Sequence, residues 1–363
     1  IYVTPPTPEQ LEGIRKFLVK ESNNADIEIE MEEDPSLKSG FILRVGTKEY
    51  DWSEQGRIAQ LEHSISKAVG AKKNGSLSED SIISILRTEI ADFELEAKDK
   101  EVGVVNWVGD GIANVDGIDH AFYGEIVQFD SGVKGMVQDV RRDEIGIILF
   151  GRDTEIKEGT RVVRTGKMAG IPVGDAFKGR IIDALGTPID GQGDIAADGF
   201  RPIKFPAPSI VDRKSVSVPM ETGLLAIDSM FPIGRGQREL IIGDRQTGKT
   251  SIALDTILNQ KGKDVICIYV AIGQKASTIA KLVNTLRKND AMDYTIVVSA
   301  TASDPAPLQY IAPYSGTALA EYFMYQGKDV LIVYYDLSKH AFAYRAISLL
   351  LERSPGREAY PGY

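Results

Sequence analysis

Residues Gly243 to Thr250 read Gly-Asp-Arg-Gln-Thr-Gly-Lys-Thr and fit the Gly-x-x-x-x-Gly-Lys-Thr phosphate loop at every required position. The chemistry of such a loop follows from its residue types. Gly243 and Gly248 let the backbone turn its N–H groups inward, and the residues between them, Asp244, Arg245, Gln246 and Thr247, form the cradle. Lys249 reaches the outer phosphates, and the Thr250 hydroxyl is placed to ligate Mg²⁺. Ser251 follows in the first turn of a helix whose N-terminus favours an anion. The competing explanation is a Gly-rich turn that fits by accident. It requires strand, loop and helix signals to fall in register by chance.

Those signals set what must position the loop. The apolar run Leu240–Ile242 predicts a strand entering it, and Ser251-Ile-Ala-Leu-Asp-Thr-Ile-Leu predicts a helix leaving it. Past Pro172 the pattern is βα. Val265–Ala271, Thr295–Ala300 and Val330–Tyr335 are near-continuous apolar runs, as in a parallel sheet buried on both faces. Cys267, the one cysteine, lies in the first of these runs and reads as a buried strand residue, so no disulfide within the chain is possible. Asp304-Pro-Ala-Pro307 reads as a rigid turn after a strand and a candidate for a subunit interface.

Upstream the period changes. Residues 101–171 carry short β-rich pieces, Glu101–Val105, Ala121–Val127, Val133–Val137, Ile145–Phe150 and Arg161–Arg164, separated by Gly/Asp turns at the spacing of a small barrel. No basic and aromatic groove of the kind that binds single strands is evident, so a structural collar is preferred. Residues 70–100 begin in a Gly-, Lys-, Asn- and Ser-rich linker. Ser76-Leu-Ser-Glu79 then caps a helix carrying Ile82, Ile85, Leu86 and Ile90 on one face. Residues 1–69 form a small α/β unit. Thr7-Pro-Glu-Gln10 is a capping box ahead of the stripe Leu11, Ile14, Phe17 and Leu18; Asp26–Met31 and Phe41–Val45 are predicted strands, and Ile58, Leu61 and Ile65 share a closing helix. His63 and His120 read as solvated surface residues.

The 363 residues carry a formal net charge of −10. Half of that charge falls in the first 70 residues, where eight Lys and Arg face thirteen Asp and Glu. An acidic balance argues against a nucleic acid as the main partner. No apolar run approaches the roughly 20 residues of a membrane span. A start at Ile1 without methionine and a stop at Tyr363 in mid-loop suggest a fragment at both ends.

Residues 76–363 resemble the α subunits of F-type ATP synthases. The resemblance is carried by Val108–Ala113, Asp212–Val216, Thr222–Ser229, Pro232–Thr250, Tyr269–Lys275, Ser299–Pro307 and Pro355–Pro361. Residues 1–69 are similar to the C-terminal part of the δ subunits of the same enzymes, through Asp34–Leu37, Gly40-Phe41 with Arg44–Gly46, and Ser53–Ile58. The resemblance implies a multidomain chain: a small α/β N-terminal unit over residues 1–69, a linker and helix over 70–100, and a β-barrel collar over 101–171. A RecA-like phosphate-loop α/β domain, incomplete at its C-terminus, follows over 172–363. It further implies ATP or ADP with Mg²⁺ as ligands, and Arg245, Gln246 and Gln274 as nucleotide contacts. The implied partners are β subunits alternating in a ring, a γ subunit, the b subunit of a peripheral stalk and a δ N-terminal domain. Association with the cytoplasmic face of a bacterial plasma membrane is implied only through that complex.

Two positions within the resemblance concern chemistry. Gln274 stands where the catalytic β subunits place the Glu that polarises the attacking water, and an amide cannot take a proton from water. A site that holds Mg-nucleotide without efficient turnover is therefore expected. Val330–Asp336 corresponds to a family pattern ending Tyr-Asp-Asp-Leu-Ser-Lys-His, and Tyr335 occupies the place of the first Asp, a carboxylate close to Mg²⁺. At the level of sequence this is either a genuine loss or an error in the determined sequence. A genuine loss implies weaker Mg²⁺ dependence of binding. Lys339 and His340 follow in a stretch read as local packing and solvation. The alternative reading is an autonomous hexameric motor, an RNA translocase or secretion ATPase, against which Gln274 and the acidic balance both speak.

Overall fold

The computed structural model describes residues 1–2, 5–22, 28–34, 37, 39–45, 48–54, 56–58, 99–142, 144–244 and 246–361. These form two compact units, residues 1–103 and 104–363. The expected linker, the helix after Ser76, His63, Leu61 and Ile65 lie outside the described residues.

In the first unit the capping box forms as expected: Thr7 N–H donates to Gln10 Oε1 at 2.9 Å and Gln10 N–H to Thr7 Oγ1 at 3.4 Å. Helix α1 (Pro8–Ser22) follows and buries Leu18. Strands β1 (Ile42–Val45) and β2 (Lys48–Asp51) pair antiparallel, and β2 pairs in turn with residues 99–101. Their aromatic residues gather: Trp52 lies 5.8 Å from Tyr50 and 5.1 Å from Phe41, centroid to centroid. The strand expected at 26–31 is not formed over its described part, 28–31; the bridge to Tyr2 comes from Glu33, just beyond it.

The second unit opens with a closed barrel of six strands: β3 (Asp99–Gly109), β4 (Ile112–Asp116), β5 (Glu125–Phe129), β6 (Lys134–Val140), β7 (Ile145–Leu149) and β8 (Arg161–Met168). Their order is β3-β4-β7-β6-β5-β8, and a β8–β3 pairing closes the ring. Alternation sorts the side chains. Val115, Val127, Phe129, Val137, Ile147 and Val162 fill the barrel, while Ile112, Met136 and Ile148 point the other way into a second core. That is why β7 is buried at every residue. The strand expected from Ala121 begins only at Glu125, because the buried Glu125 carboxylate is committed locally. It accepts from Arg164 Nη2 at 3.0 Å, Gly166 N–H at 2.8 Å and Phe122 N–H at 3.2 Å, which holds 121–124 in a turn.

Two short hairpins follow. β9 (Gly170–Val173) pairs with β11 (Gly199–Pro202), and β12 (Pro219–Met220) pairs with β13 (Ile233–Gly234) around helix α2 (Leu225–Met230). The nucleotide-domain sheet is parallel, with order β10-β15-β14-β16: β10 (Ile181–Ile182), β15 (Thr295–Thr301), β14 (Val265–Gln274) and β16 (Asp329–Tyr335). Even-numbered residues of β14 face the core shared with helix α5 (Ala306–Met324). Odd ones face helices α3 (Lys249–Leu258) and α4 (Ala276–Lys288). Helix α5 approaches so closely that a Cβ on Gly316 would lie 2.4 Å from Val270 Cγ2. Helix α6 (Leu337–Leu350) completes the layer, and the Asp336 carboxylate caps it by accepting from Lys339 N–H at 2.8 Å.

A further expectation fails at the entry to the loop. Leu240–Ile242 is not a strand, and its side chains are 71, 40 and 83 % exposed. Among the described residues no strand lies beside it. An extended segment without a neighbour gains no ladder hydrogen bonds.

Candidate functional site

Gly243 to Thr250 form an open, solvent-facing turn that ends in helix α3, with Arg245 outside the described residues. Gly248 precedes the helix at φ +93°, a left-handed conformation that a side chain rarely adopts. Gln246 is also left-handed, at φ +65°. Thr247 Oγ1 donates to Asp244 O at 2.8 Å, tightening the turn. Lys249 Nζ donates to Asp244 O at 2.6 Å and also to Gly243 O, so the ammonium is held inside the loop's own curve. Lys249, Thr250 and Ser251 make up the first turn of α3, where unpaired N–H groups and the helix dipole favour an anion.

The far end of α3 is held firmly. Tyr294 Oη donates to Ile257 O at 3.1 Å, Asn259 Nδ2 to Thr222 O at 3.0 Å and Gln260 Nε2 to Glu221 O at 2.8 Å. Asp228 fixes the segment these side chains grip. It accepts from Thr222 Oγ1 at 2.6 Å, Thr222 N–H at 2.9 Å and Gly223 N–H at 2.9 Å, and the Thr222 hydroxyl bond leads the causes that hold its carboxyl below the usual range.

A cavity of about 200 Å³ opens beside the loop, lined among others by Thr250, Leu254, Tyr269, Gln274, Thr278 and Leu282. Thr250 and Gln274, from separate elements, thus line the same cavity. Gln274 ends β14, and its Nε2 lies 3.5 Å from Ile272 O, leaving the amide only weakly engaged. Tyr269, to which no motif assigns a role, also lines the cavity. Burial, then Tyr335 and Asp336, push its phenol well above the ordinary value. Its signal was parity: Tyr269 and Ala271 share the strand face that meets α3. Of the predicted loop residues Thr250 alone lines the cavity; Gly243, Asp244, Gln246, Thr247, Gly248, Lys249 and Ser251 do not.

The remaining candidates are placed as follows. Cys267 is buried in β14, where burial pushes its thiol up to about 12. Asp304 closes the turn after β15, accepting from Thr301 N–H at 2.6 Å and Thr301 Oγ1 at 2.9 Å. His120 is exposed, as expected. Lys339 is exposed too, whereas His340 is packed rather than solvated: its ring stacks on Tyr310 at 5.6 Å, and burial lowers its pKa.

Residues 223–363 match the family model described as ATP synthase alpha/beta family, nucleotide-binding domain, and residues 100–166 match that family's beta-barrel domain. Residues 1–65 match the model for the ATP synthase delta (OSCP) subunit. The chain is 60 % identical over 283 residues to an ATP synthase subunit alpha of Caldanaerobacter subterraneus subsp. tengcongensis, covering 78 % of this chain and 56 % of that protein. It is 59 % identical over 287 residues to its counterpart in Acetivibrio thermocellus, covering 79 % and 57 % of the two chains. Against the counterpart in Limosilactobacillus reuteri it is 58 % identical over 287 residues, covering 79 % and 56 %. The chain therefore spans little more than half the length of these curated relatives.

Proposed function

Residues 100–166 and 223–363 belong to the ATP synthase alpha/beta family, and on that premise, with residues 1–65 matching the delta (OSCP) subunit model, we propose that this chain is a non-catalytic, nucleotide-holding α-type subunit of a rotary ATP synthase, with a δ-like stator segment on the same polypeptide. Its ligand is ATP or ADP, gripped through the loop from Gly243 to Ser251, with Gln274 beside it. The observation that carries this reading is that Thr250 and Gln274 line the same cavity. The phosphate-binding end of the site faces an amide, which orients water but cannot deprotonate it. Nucleotide is thus retained rather than turned over.

The partners that complete this role are β subunits alternating with the α-type subunits, a γ subunit turning inside the ring, and a peripheral stalk engaging the δ-like segment with its b subunit and δ N-terminal domain. Covalent attachment of that segment replaces a bimolecular contact with a high local concentration. The complex works at the cytoplasmic face of a bacterial plasma membrane and couples ATP synthesis to ion transport. Among the described residues no helix is long and apolar enough to cross a membrane.

The test is a paired measurement on the purified chain. ATP is expected to bind, with affinity lowered about ten- to hundredfold by Lys249→Ala, the size of one lost charge-assisted contact. Steady-state ATP hydrolysis is expected to stay at background with and without RNA. Turnover abolished by Lys249→Ala, or stimulated by RNA, would instead favour an autonomous motor.

A further inference from the structure

Mg²⁺ demands near-octahedral oxygen ligation and is usually held by one or two carboxylates together with phosphate oxygens. In phosphate-loop proteins the protein's share is the loop Ser or Thr and a carboxylate at the end of a neighbouring strand. Thr250 supplies the first. The second is missing from the face that would present it.

Leu331, Val333 and Tyr335 of β16 project into the core that also takes Leu254, Ile257 and Leu258 of α3, the helix continuing from the phosphate loop. Tyr335 ends that row, and its register partner on β14 is Ala271, on the same face as Tyr269 at the cavity wall. The position aimed at the nucleotide side of the sheet therefore carries a phenol. Asp336, one step further, is engaged elsewhere, since its Oδ1 accepts from Lys339 N–H at 2.8 Å to start α6. Asp304, in the turn after β15 on the other side of β14, is likewise committed to Thr301. Among the described residues no group of three or more His, Cys, Asp or Glu side chains could hold a metal ion. The donor set does not fit a tightly held Mg²⁺.

We propose that Tyr335 makes this a site that grips nucleoside triphosphate through the loop N–H groups and Lys249, with little gain from Mg²⁺. The inference rests on reading the phosphate loop as a nucleotide site. Two effects act in the same direction. A phenol offers no anionic oxygen at neutral pH to ligate the ion or orient its waters. It also spares a metal-free triphosphate the like-charge repulsion that a carboxylate imposes at that position.

Isothermal calorimetry on the whole chain tests this, with ATP titrated in excess Mg²⁺ and again in EDTA, for the unaltered protein, Tyr335→Asp and Tyr335→Phe. The two Kd values are expected to agree within about threefold for the unaltered chain and for Tyr335→Phe. They are expected to separate by about tenfold or more in Tyr335→Asp, the usual effect of an outer-shell metal partner. A separation of about tenfold in the unaltered chain, or the same ratio in all three proteins, overturns the proposal. If Tyr335→Asp does not fold, the ratio in the unaltered chain and in Tyr335→Phe decides alone. Strongly Mg²⁺-dependent binding that is still lost in Lys249→Ala sinks this proposal and leaves the nucleotide site standing. No ATP binding in either condition sinks both.

Discussion

Gly248 carries a demand that no other residue type meets at low cost. Its φ of +93° turns the chain into α3, and its Cβ position is open, so strain rather than a clash opposes any side chain there. Gly248→Ala is expected to destabilise the fold by roughly 1 to 3 kcal/mol, read as a lower urea midpoint, and to weaken nucleotide binding at the same time. The neighbouring Lys249 has a different task. Its contacts to Gly243 O and Asp244 O shape the loop, and a polyphosphate entering the loop exchanges them for stronger charge-assisted ones.

At the scale of elements, the sheet edge depends on one ion pair. Arg180 precedes the two-residue strand β10, and its Nε and Nη2 donate to the Asp190 carboxylate at 2.7 and 2.9 Å. Asp190 also accepts from Ile181 N–H at 3.1 Å and Gln192 N–H at 3.1 Å, and its side chain is 0 % exposed. The Arg180 guanidinium leads the causes that hold its carboxyl far below the usual carboxylate range. A depressed folded value stabilises above the unfolded pKa of about 3.9, and that stability is lost as pH falls through the folded value. Asp190→Asn is therefore expected to cost roughly 3 to 5 kcal/mol at pH 7, with the gap between variant and parent narrowing below about pH 4 in urea titrations. A constant gap across that range would show that the carboxylate's charge is not what holds β10 in place.

Across the whole molecule, apolar surface is distributed unevenly. The barrel core is closed, yet Leu225, Phe231, Leu240 and Ile242 are 82, 75, 71 and 83 % exposed, and Ile210 and Val211 reach 88 and 94 %. Large apolar side chains left this open favour association when they adjoin. The isolated chain is expected to bind 1-anilinonaphthalene-8-sulfonate and to sediment with concentration-dependent mass, and Leu240→Ser with Ile242→Ser is expected to reduce both. Unchanged dye binding in the double variant would place the sticky surface elsewhere. Within the second unit, long-range polar ties support the layers: Arg201 pairs with Glu321 at 2.7 Å, and Arg141 reaches Glu352 at 3.1 Å while also holding its near neighbours Asp139 and Glu144.

How much was legible beforehand follows from how local each signal is. The loop from Gly243 to Thr250, the capping box at Thr7, the buried runs of β14 and β15 and the barrel's turn spacing are written in neighbouring residues, so the sequence alone determined them; β16 forms over the expected run but lies at the sheet edge with none of its residues fully buried. Tertiary structure decided what depends on partners distant in sequence. Leu240–Ile242 has the composition of a strand but finds no neighbour to pair with, and Ala121–Gly124 is drawn into a turn by Glu125 gripping Arg164 and Gly166. The commitment of Asp336 to a helix cap, the placing of Tyr335 on the phosphate loop's face and the meeting of Thr250 with Gln274 likewise appear only once β14, β16 and α3 are packed. A residue's type is local information, whereas what it faces is fixed by which element the fold brings against it.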